Sequence, residues 1–444
     1  FFFHPPPATP DPLWSRGLGD VYKRQIEIDN AMKWGFARDI GIFDAWDAIG
    51  VEKSVNKMKE ENRKVPSWVQ EMLASGRKSF YEIIDGKLTY YCPVKKKVLT
   101  HKDNDKTLNL NLYKNSKTML KRDWSASIHD LGDGVLNVEF HSIFVPAFNP
   151  IDRSMVGIVK DALDLLDSGK YKGLVIGHQG KNWSAGANVN DFKMAIDSGN
   201  LQVMDAGVKE MQDVTQRIRH SKYPVVSCPF NLALGGGFEF YACSTHTVAA
   251  GELYAGLVEA IQGLIPGAGG HLRVILNLLE NNDAKNFNMN IGRQAIGLVN
   301  PLTVSRSATD ALKKGWLRKS DTICMNSEHL LATAKYKVLE LSEAGYKPPK
   351  YREDLSLPGM TLRTMASVGL KAMKAQGKIS DHDELVASKT AFVLSGGDKG
   401  GLMSKVDEQY VLDIEREAFM SLAGEEKTQQ RIAHFLKTGK PLRN

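Results

Sequence analysis

The most informative part of this sequence is the stretch Leu234-Gly235-Gly236-Gly237-Phe238-Glu239-Phe240. Its three glycines follow a strand-like run, Pro224-Val225-Val226-Ser227-Cys228, and lead into an apolar helical pattern that carries one glutamate. Glycine lets the backbone turn sharply and approach a ligand closely. The start of a helix presents unpaired N–H groups and the positive end of a dipole, which can together hold a developing negative charge. A close-packed strand–helix turn without any chemical role remains an alternative.

Two further stretches accompany this glycine turn. The first, Asn182-Trp183-Ser184-Ala185-Gly186-Ala187-Asn188, follows a short buried strand predicted over residues 173–177. The second is Gly256-Leu257-Val258-Glu259-Ala260-Ile261-Gln262-Gly263-Leu264-Ile265-Pro266-Gly267-Ala268-Gly269-Gly270. The glycine-rich end of this stretch does not match a dinucleotide-binding loop, because it lacks the third glycine of the GxGxxG motif and follows a proline. In this order and spacing, over about residues 125–330, the three stretches resemble the enoyl-CoA hydratase/isomerase (crotonase) superfamily.

The resemblance implies a role for individual positions. The backbone N–H groups of Ala187 and Gly236 match the two halves of the family's oxyanion hole. Glu239 and Glu259 match the two catalytic glutamates of hydratases, although a surface position on a helix is the alternative for Glu259. The positions that match the family's substrate- and CoA-binding backbone are Ala185, Gly186, Ala187 and Gly235. Asn188 stands where an aspartate is commoner in the family.

Hydration of a 2-enoyl thioester requires residues of these kinds. The addition of water builds an enolate at the thioester oxygen, which two fixed N–H donors stabilise. Two carboxylates in one desolvated pocket repel each other, so one of them can retain its proton near neutral pH. One carboxylate can then activate or orient the water while the other supplies the proton. Because isomerases of the superfamily often have only one of the two glutamates, the pair favours conversion of trans-2-enoyl-CoA to 3-hydroxyacyl-CoA. An isomerase or another crotonase-type acyl-CoA reaction, and a non-catalytic acyl-CoA-binding or scaffold subunit, are the alternatives.

Strands and helices alternate from about residue 124, which predicts an α/β fold. The resemblance describes residues 124–345 as a crotonase-like core of repeated β-β-α units, followed over residues 346–444 by a helical extension. That extension resembles the tail of bifunctional β-oxidation proteins. Residues 26–90 are predicted to be helical and, through Met32-Lys33-Trp34-Gly35-Phe36 and Gly41-Ile42-Phe43, resemble the C-terminal helical part of 3-hydroxyacyl-CoA dehydrogenases. The lysine-rich residues 91–123 are predicted to be a solvated basic linker rather than a nucleic-acid site.

Residues 1–25 differ from the rest, since Asp20-Val21-Tyr22-Lys23-Arg24-Gln25 resembles a translated sequencing adapter. We therefore interpret them as a non-native segment and exclude them from the fold. On this interpretation the chain is a bifunctional 3-hydroxyacyl-CoA dehydrogenase/enoyl-CoA hydratase truncated at its N-terminus. A nicotinamide-binding domain opens with a strand, a GxGxxG turn and a helix, and this pattern is missing. We expect the CoA thioester to be the substrate, no cofactor to be bound by this chain, and dehydrogenation with NAD to belong to the missing domain.

Bulk composition narrows the class of protein. The chain of 444 residues is 42% apolar and 25% charged, as globular proteins are, and no apolar run reaches the ~18 residues of a membrane span. Four separated cysteines without a CxxC predict reduced thiols and a cytoplasmic location. Eleven histidines form no HExxH and no tight cluster, so no metal site is predicted. The net charge of +7 suits a polyanionic small ligand or simply a solvated surface. The resemblance adds thiolase as a candidate partner, and homo-oligomerisation stays open.

Overall fold

A computed structural model describes residues 25–36, 38–101, 105–115, 117–300, 302–401 and 403–444. The chain divides into two compact units, residues 1–104 and 105–444. The interpretation of residues 1–24 as non-native lies outside the described residues. Gln25, the last residue of that segment, is the first residue of helix α1.

The first unit combines helices with a small sheet. Its helices are α1 Gln25–Phe36, α2 Ile42–Ile49, α3 Val51–Glu60 and α4 Ser67–Ala74. They are followed by the antiparallel strands β1 Tyr81–Ile84, β2 Lys87–Cys92 and β3 Lys97–Thr100. A purely helical unit over residues 26–90 was therefore a wrong prediction. The missed signal is Asp85-Gly86, whose φ angles of +51° and +73° are those of a tight hairpin turn.

The predicted basic linker over residues 91–123 is also wrong, because both of its ends are strands. Strand β3 lies at its start, and β4, Met119–Arg122, pairs antiparallel with the next strand of the second unit. Between them Lys114 forms an ion pair with Glu139, with 2.7 Å between Nζ and Oε1. An edge strand commonly carries exposed charged residues, which is why β4 has the composition of a linker.

The second unit is built on a seven-stranded sheet in the order β12-β10-β8-β7-β6-β5-β4. Its remaining strands are β5 Ala126–Asp130, β6 Val135–Phe140, β7 Gly173–Ile176, β8 Val225–Ser227, β10 His246–Ala250 and β12 Thr322–Cys324. Strands β6, β7, β8, β10 and β12 are parallel, and β5 forms an antiparallel hairpin with β6. Burial on both faces explains the continuous apolar run Leu174-Val175-Ile176.

A second layer carries the three stretches singled out in the sequence. Strands β9 Asn231–Leu234 and β11 Leu253–Gly256 pair in parallel, and Leu234 lies opposite Gly256. The helices of this part are α5 Arg153–Asp167, α6 Val189–Asp197, α7 Leu201–Arg219, α8 Gly236–Ala242 and α9 Gly270–Asn281. The succession of β8, β9 and α8 forms one β-β-α unit. The predicted α/β core built from such units is therefore confirmed. The register places the ends of β9 and β11 side by side, and with them the residues that follow each strand.

The helical C-terminal region belongs to the same compact unit as the core. Its helices are α10 Met289–Val299, α11 Ala308–Lys314, α12 Leu330–Glu343, α13 Met360–Ala375, α14 Asp381–Leu394, α15 Glu408–Ala423 and α16 Glu426–Thr438. Buried side chains of α15, such as Leu412 and Phe419, share one hydrophobic cluster with the central strands. The predicted boundary near residue 345 is therefore not a boundary between separate compact units. Among the helices of the described ranges, none has the length and apolar character that crossing a bilayer requires.

Candidate active site

The glycine turn after β9 is shaped by what lies against it. Gly235 has a φ of +51°, in the region that favours glycine, and its N–H donates to the Gly256 carbonyl at 2.9 Å. A Cβ atom added to Gly235 would lie 3.0 Å from Oε1 of Glu259. A side chain at this position would crowd the carboxyl group. Glycine therefore leaves the space beside the turn that Glu259 occupies. The turn and Glu259 are thereby brought together as the resemblance implied.

Glu239 lies in the first turn of α8 and is buried. Its Oε1 accepts two hydrogen bonds of 2.8 Å, from the backbone N–H groups of Ala268 and Gly270. Burial, followed by the charge of Glu259, raises the pKa of Glu239 well above its ordinary value. The two N–H donors favour the charged form, but they do not outweigh burial. Glu239 is therefore a candidate for a carboxyl group that keeps its proton at neutral pH.

Glu259 begins a 3-10 helix, Glu259–Gln262, which is separated from the end of β11 by two residues. Both of its carboxyl oxygens are shielded from solvent although the residue is partly exposed, and neither accepts a hydrogen bond of normal geometry from a described residue. The backbone N–H groups of Glu259 and Val258 favour its charged form without outweighing burial. Burial raises the pKa of Glu259 to about 8. Because the charge of Glu259 in turn raises the pKa of Glu239, we infer that Glu259 loses its proton first. The pair can therefore hold one proton and one negative charge.

The two predicted oxyanion donors lie beside each other. A Cβ atom added to Gly236 would lie 3.3 Å from the backbone nitrogen of Ala187. Neither N–H group donates a hydrogen bond to any other described residue. Two neighbouring, unpaired donors are what stabilisation of an oxyanion requires. They lie close to Glu259, whose carboxyl group contacts the adjacent Gly235. Their arrangement follows from the parallel bridges that join Ile151 to Ala187 and Ser184 to Ala233.

Most of the predicted CoA-binding backbone is already hydrogen-bonded within the protein. The N–H of Ala185 donates to the Phe148 carbonyl at 2.8 Å, and that of Gly186 donates to Oγ of Ser184 at 3.2 Å. Gly235 uses its N–H in the glycine turn. Of these four positions Ala187 alone has an N–H group without a partner in the described chain. Contacts of a ligand with the other three would therefore use carbonyl groups or the surface of the backbone.

A cavity of about 60 Å³ opens beside Ala187. Its apolar lining includes Val156, Phe192, Val208 and Met211 from α5, α6 and α7. The methyl group of Met211 would lie 3.7 Å from a Cβ atom on Gly236, so the cavity reaches the oxyanion donors. A larger cavity, of about 270 Å³, is lined by Ser127, His129 and Glu139 among others and contains none of the predicted site residues.

Sequence reasoning missed one residue of this site, Glu415. It lies on α15 and accepts hydrogen bonds from the backbone N–H groups of Gly269 at 2.7 Å and His271 at 2.8 Å. The sequence of α15 shows only the apolar spacing of an amphipathic helix, so nothing local distinguishes this glutamate from a surface residue. Across the described part of the chain, His, Cys, Asp and Glu residues form no group of three or more that could hold a metal ion.

Known proteins are similar to this chain in sequence or in fold. The sequence model described as enoyl-CoA hydratase/isomerase matches residues 131–293. A probable 3-hydroxyacyl-CoA dehydrogenase of Bacillus subtilis is 38% identical over 427 residues, which are 96% of this chain and 53% of that protein. A putative fatty acid oxidation complex trifunctional enzyme of Rickettsia felis is 27% identical over 93% of this chain and 49% of its own length. The chain thus spans about half the length of the curated relatives it matches.

Among solved structures, an enoyl-CoA hydratase from Rhodobacter sphaeroides has a TM-score of 0.51 and 17% identity. The match covers 72% of this chain and 92% of that structure. At this level of identity the likeness concerns the fold, and it agrees with the arrangement of the second unit.

Proposed function

Because residues 131–293 match the enoyl-CoA hydratase/isomerase family model, we propose that this chain adds water to a trans-2-enoyl-CoA thioester to give 3-hydroxyacyl-CoA. The observation that carries the proposal is the buried pair Glu239 and Glu259 beside the unpaired N–H groups of Ala187 and Gly236. The relative from Rickettsia felis, named for a fatty acid oxidation complex, supports a place in fatty acid β-oxidation.

In the proposed reaction the thioester oxygen accepts hydrogen bonds from Ala187 and Gly236. The ionised carboxyl group of the pair removes a proton from the attacking water, and the oxygen of that water forms the bond to C3. The electrons of the C2–C3 double bond move toward the carbonyl, so negative charge gathers on the thioester oxygen between the two donors. The other carboxyl group gives its proton to C2, and the overall change is addition of one water molecule.

Isomerisation of 3-enoyl-CoA to 2-enoyl-CoA is the second candidate, since the same oxyanion donors would stabilise its enolate. That reaction moves one proton from C2 to C4 and can be completed by one carboxyl group. The presence of a second buried carboxyl group, Glu259, whose oxygens accept no hydrogen bond of normal geometry from a described residue, favours hydration. A non-catalytic subunit that binds acyl-CoA, and association with a thiolase or with another copy of the chain, are further proposals that the site itself does not favour.

The test compares 2-enoyl-CoA and 3-enoyl-CoA substrates, each with a short and a long acyl chain, and identifies products by mass spectrometry. We expect a product heavier by one water molecule from the 2-enoyl substrates. Conversion of the 3-enoyl substrates without gain of water would support the isomerase instead. Tight binding of both without conversion, together with capture of a thiolase, would support the non-catalytic subunit. The ratio of kcat/KM for the short and the long acyl chain shows which chain length the enzyme prefers.

A further inference from the structure

Four consecutive backbone N–H groups, those of residues 268–271, are shared between two glutamates. The first and third donate to Oε1 of Glu239, both at 2.8 Å. The second and fourth donate to the two carboxyl oxygens of Glu415, at 2.7 Å and 2.8 Å. Successive N–H groups therefore point alternately to the candidate catalytic residue and to a residue of the C-terminal helices.

Glu415 replaces the side chain that normally caps a helix. Helix α9 begins at Gly270, and its N-cap position is Gly269, which has no side chain to accept the first N–H groups. The carboxyl group of Glu415 takes this place and also bonds Nδ1 of His271 at 2.8 Å. Glu415 is fully buried, and a negative charge at this end of a helix is favourable. The backbone that holds Glu239 is thus fixed by a side chain 144 residues farther along the chain.

The same helical region holds the segment that carries Glu259. Oγ1 of Thr428, on α16, donates to the Gly263 carbonyl at 2.8 Å, and Arg431 donates to the Ala260 carbonyl at 3.3 Å. On α15, Phe419 would lie 3.1 Å from a Cβ atom on Gly267. The segment between β11 and α9 is therefore held at both ends by α15 and α16.

We propose that Glu415 is a positioning residue for the hydration reaction, which aims the backbone N–H groups of Ala268 and Gly270 at Glu239 and keeps a negative charge beside the glutamate pair. This inference rests on the proposed function and gives the C-terminal helices a role in it. The charge of Glu415 acts in the same direction as the dominant effect of burial, which raises the pKa of both Glu239 and Glu259. Other titratable groups on the elements packed around these carboxyls are Cys243, His271, Arg273, His382, Glu408 and Arg431.

The test compares E415Q with E408Q. Glu408 is a fully buried glutamate of the same helix α15, but it bonds His220 and the backbone of Arg352 and has no hydrogen bond to residues 268–271. Removing the charge of Glu415 should lower the pKa of the pair. We therefore expect the alkaline limb of the pH profile of kcat/KM to move at least about one pH unit toward acid, because one unit is the effect of a single charge roughly 12 Å away at an effective dielectric constant of about 20. E408Q should leave the limb in place.

A second readout does not depend on turnover. The titration of Glu259 can be followed by NMR with ¹³C-labelled glutamate and assigned by the signal that E259Q loses, and E415Q should shift this titration toward acid as well. If the wild-type chain does not hydrate enoyl-CoA but E415Q still shifts the titration of Glu259, the proposed function is refuted. The effect of Glu415 on the carboxyl pair is then retained. An unchanged titration and pH limb in folded E415Q would overturn the role of Glu415. If E415Q does not fold, E415D retains the charge on a shorter side chain. It should then keep the pH limb in place and lower kcat, and wild-type kcat in E415D would overturn the inference.

Discussion

The raised pKa of Glu259 predicts that this glutamate lowers the stability of the protein as the pH rises. Below the ordinary pKa of 4.5 the carboxyl group is protonated in the folded and unfolded states alike. Between pH 4.5 and about 8 the unfolded chain releases the proton and the folded chain retains it, so the folded state loses stability across this window. A pKa raised from 4.5 to about 8 corresponds, at about 1.4 kcal/mol per unit, to roughly 5 kcal/mol at high pH.

Replacing Glu259 by glutamine removes this penalty, because the amide has the same shape and does not ionise. We expect E259Q to become more stable relative to wild type as the pH rises, with a gain in the free energy of unfolding of roughly 4 kcal/mol between about pH 5 and about pH 9. Urea unfolding of both proteins at the two pH values measures this change. The comparison cancels the titrating groups that do not interact with Glu259, and it cancels any constant cost of the buried amide. A stability difference that is the same at both pH values would show that Glu259 ionises at its ordinary pKa, and would refute the buried pair.

Three further predictions concern activity. E239Q and E259Q should each lower kcat for hydration by about 10²–10⁴-fold, and retention of wild-type kcat in both would exclude the paired acid–base role. G236P removes one oxyanion donor at the first residue of α8, where proline is compatible with a helix. It should lower kcat by roughly 10²–10³-fold while circular dichroism stays unchanged, and a smaller loss would argue against the donor. G270A would bring a Cβ atom within 2.6 Å of Pro266 and 2.9 Å of Glu239, so it should lower both kcat and the melting temperature. G297A, which meets no atom within 4 Å, should leave both unchanged or slightly raise the melting temperature.

The sequence predicted the parts of the site that are local. Gly235 and Glu239 are adjacent in one strand–turn–helix unit, and a turn of this kind has a recognisable glycine pattern. The resemblance implied a catalytic role for Glu259, but its position beside the glycine turn depends on the pairing of β9 with β11, which only the structure gives. Glu415 could not be found in this way, because its partners lie 144 residues away in sequence and its helix has an ordinary amphipathic pattern.

The linker prediction for residues 91–123 failed because of the composition of short edge strands. Strands β3 and β4 carry exposed lysines, and a short strand at a sheet edge can be polar on most of its surface. The composition of β3 and β4 is therefore like that of a linker. Backbone hydrogen bonds to β2 and β5 nevertheless hold them as strands. The separation of residues 346–444 from the core failed for a different reason. The breaker around Pro348 and Pro349 ends a helix, but helices after it pack back onto α7 and α9 through buried residues such as Leu412.

The most direct test of the account is hydration of crotonyl-CoA, followed by loss of the ultraviolet absorbance of its conjugated thioester. Wild type, E239Q and E259Q are compared at equal concentration and saturating substrate. The paired-carboxyl site predicts turnover by wild type and a loss of at least about 10²-fold in each variant, with the melting temperature retained near pH 6. Absence of turnover in a folded wild-type chain that binds crotonyl-CoA, or wild-type turnover in E239Q and E259Q, would contradict it.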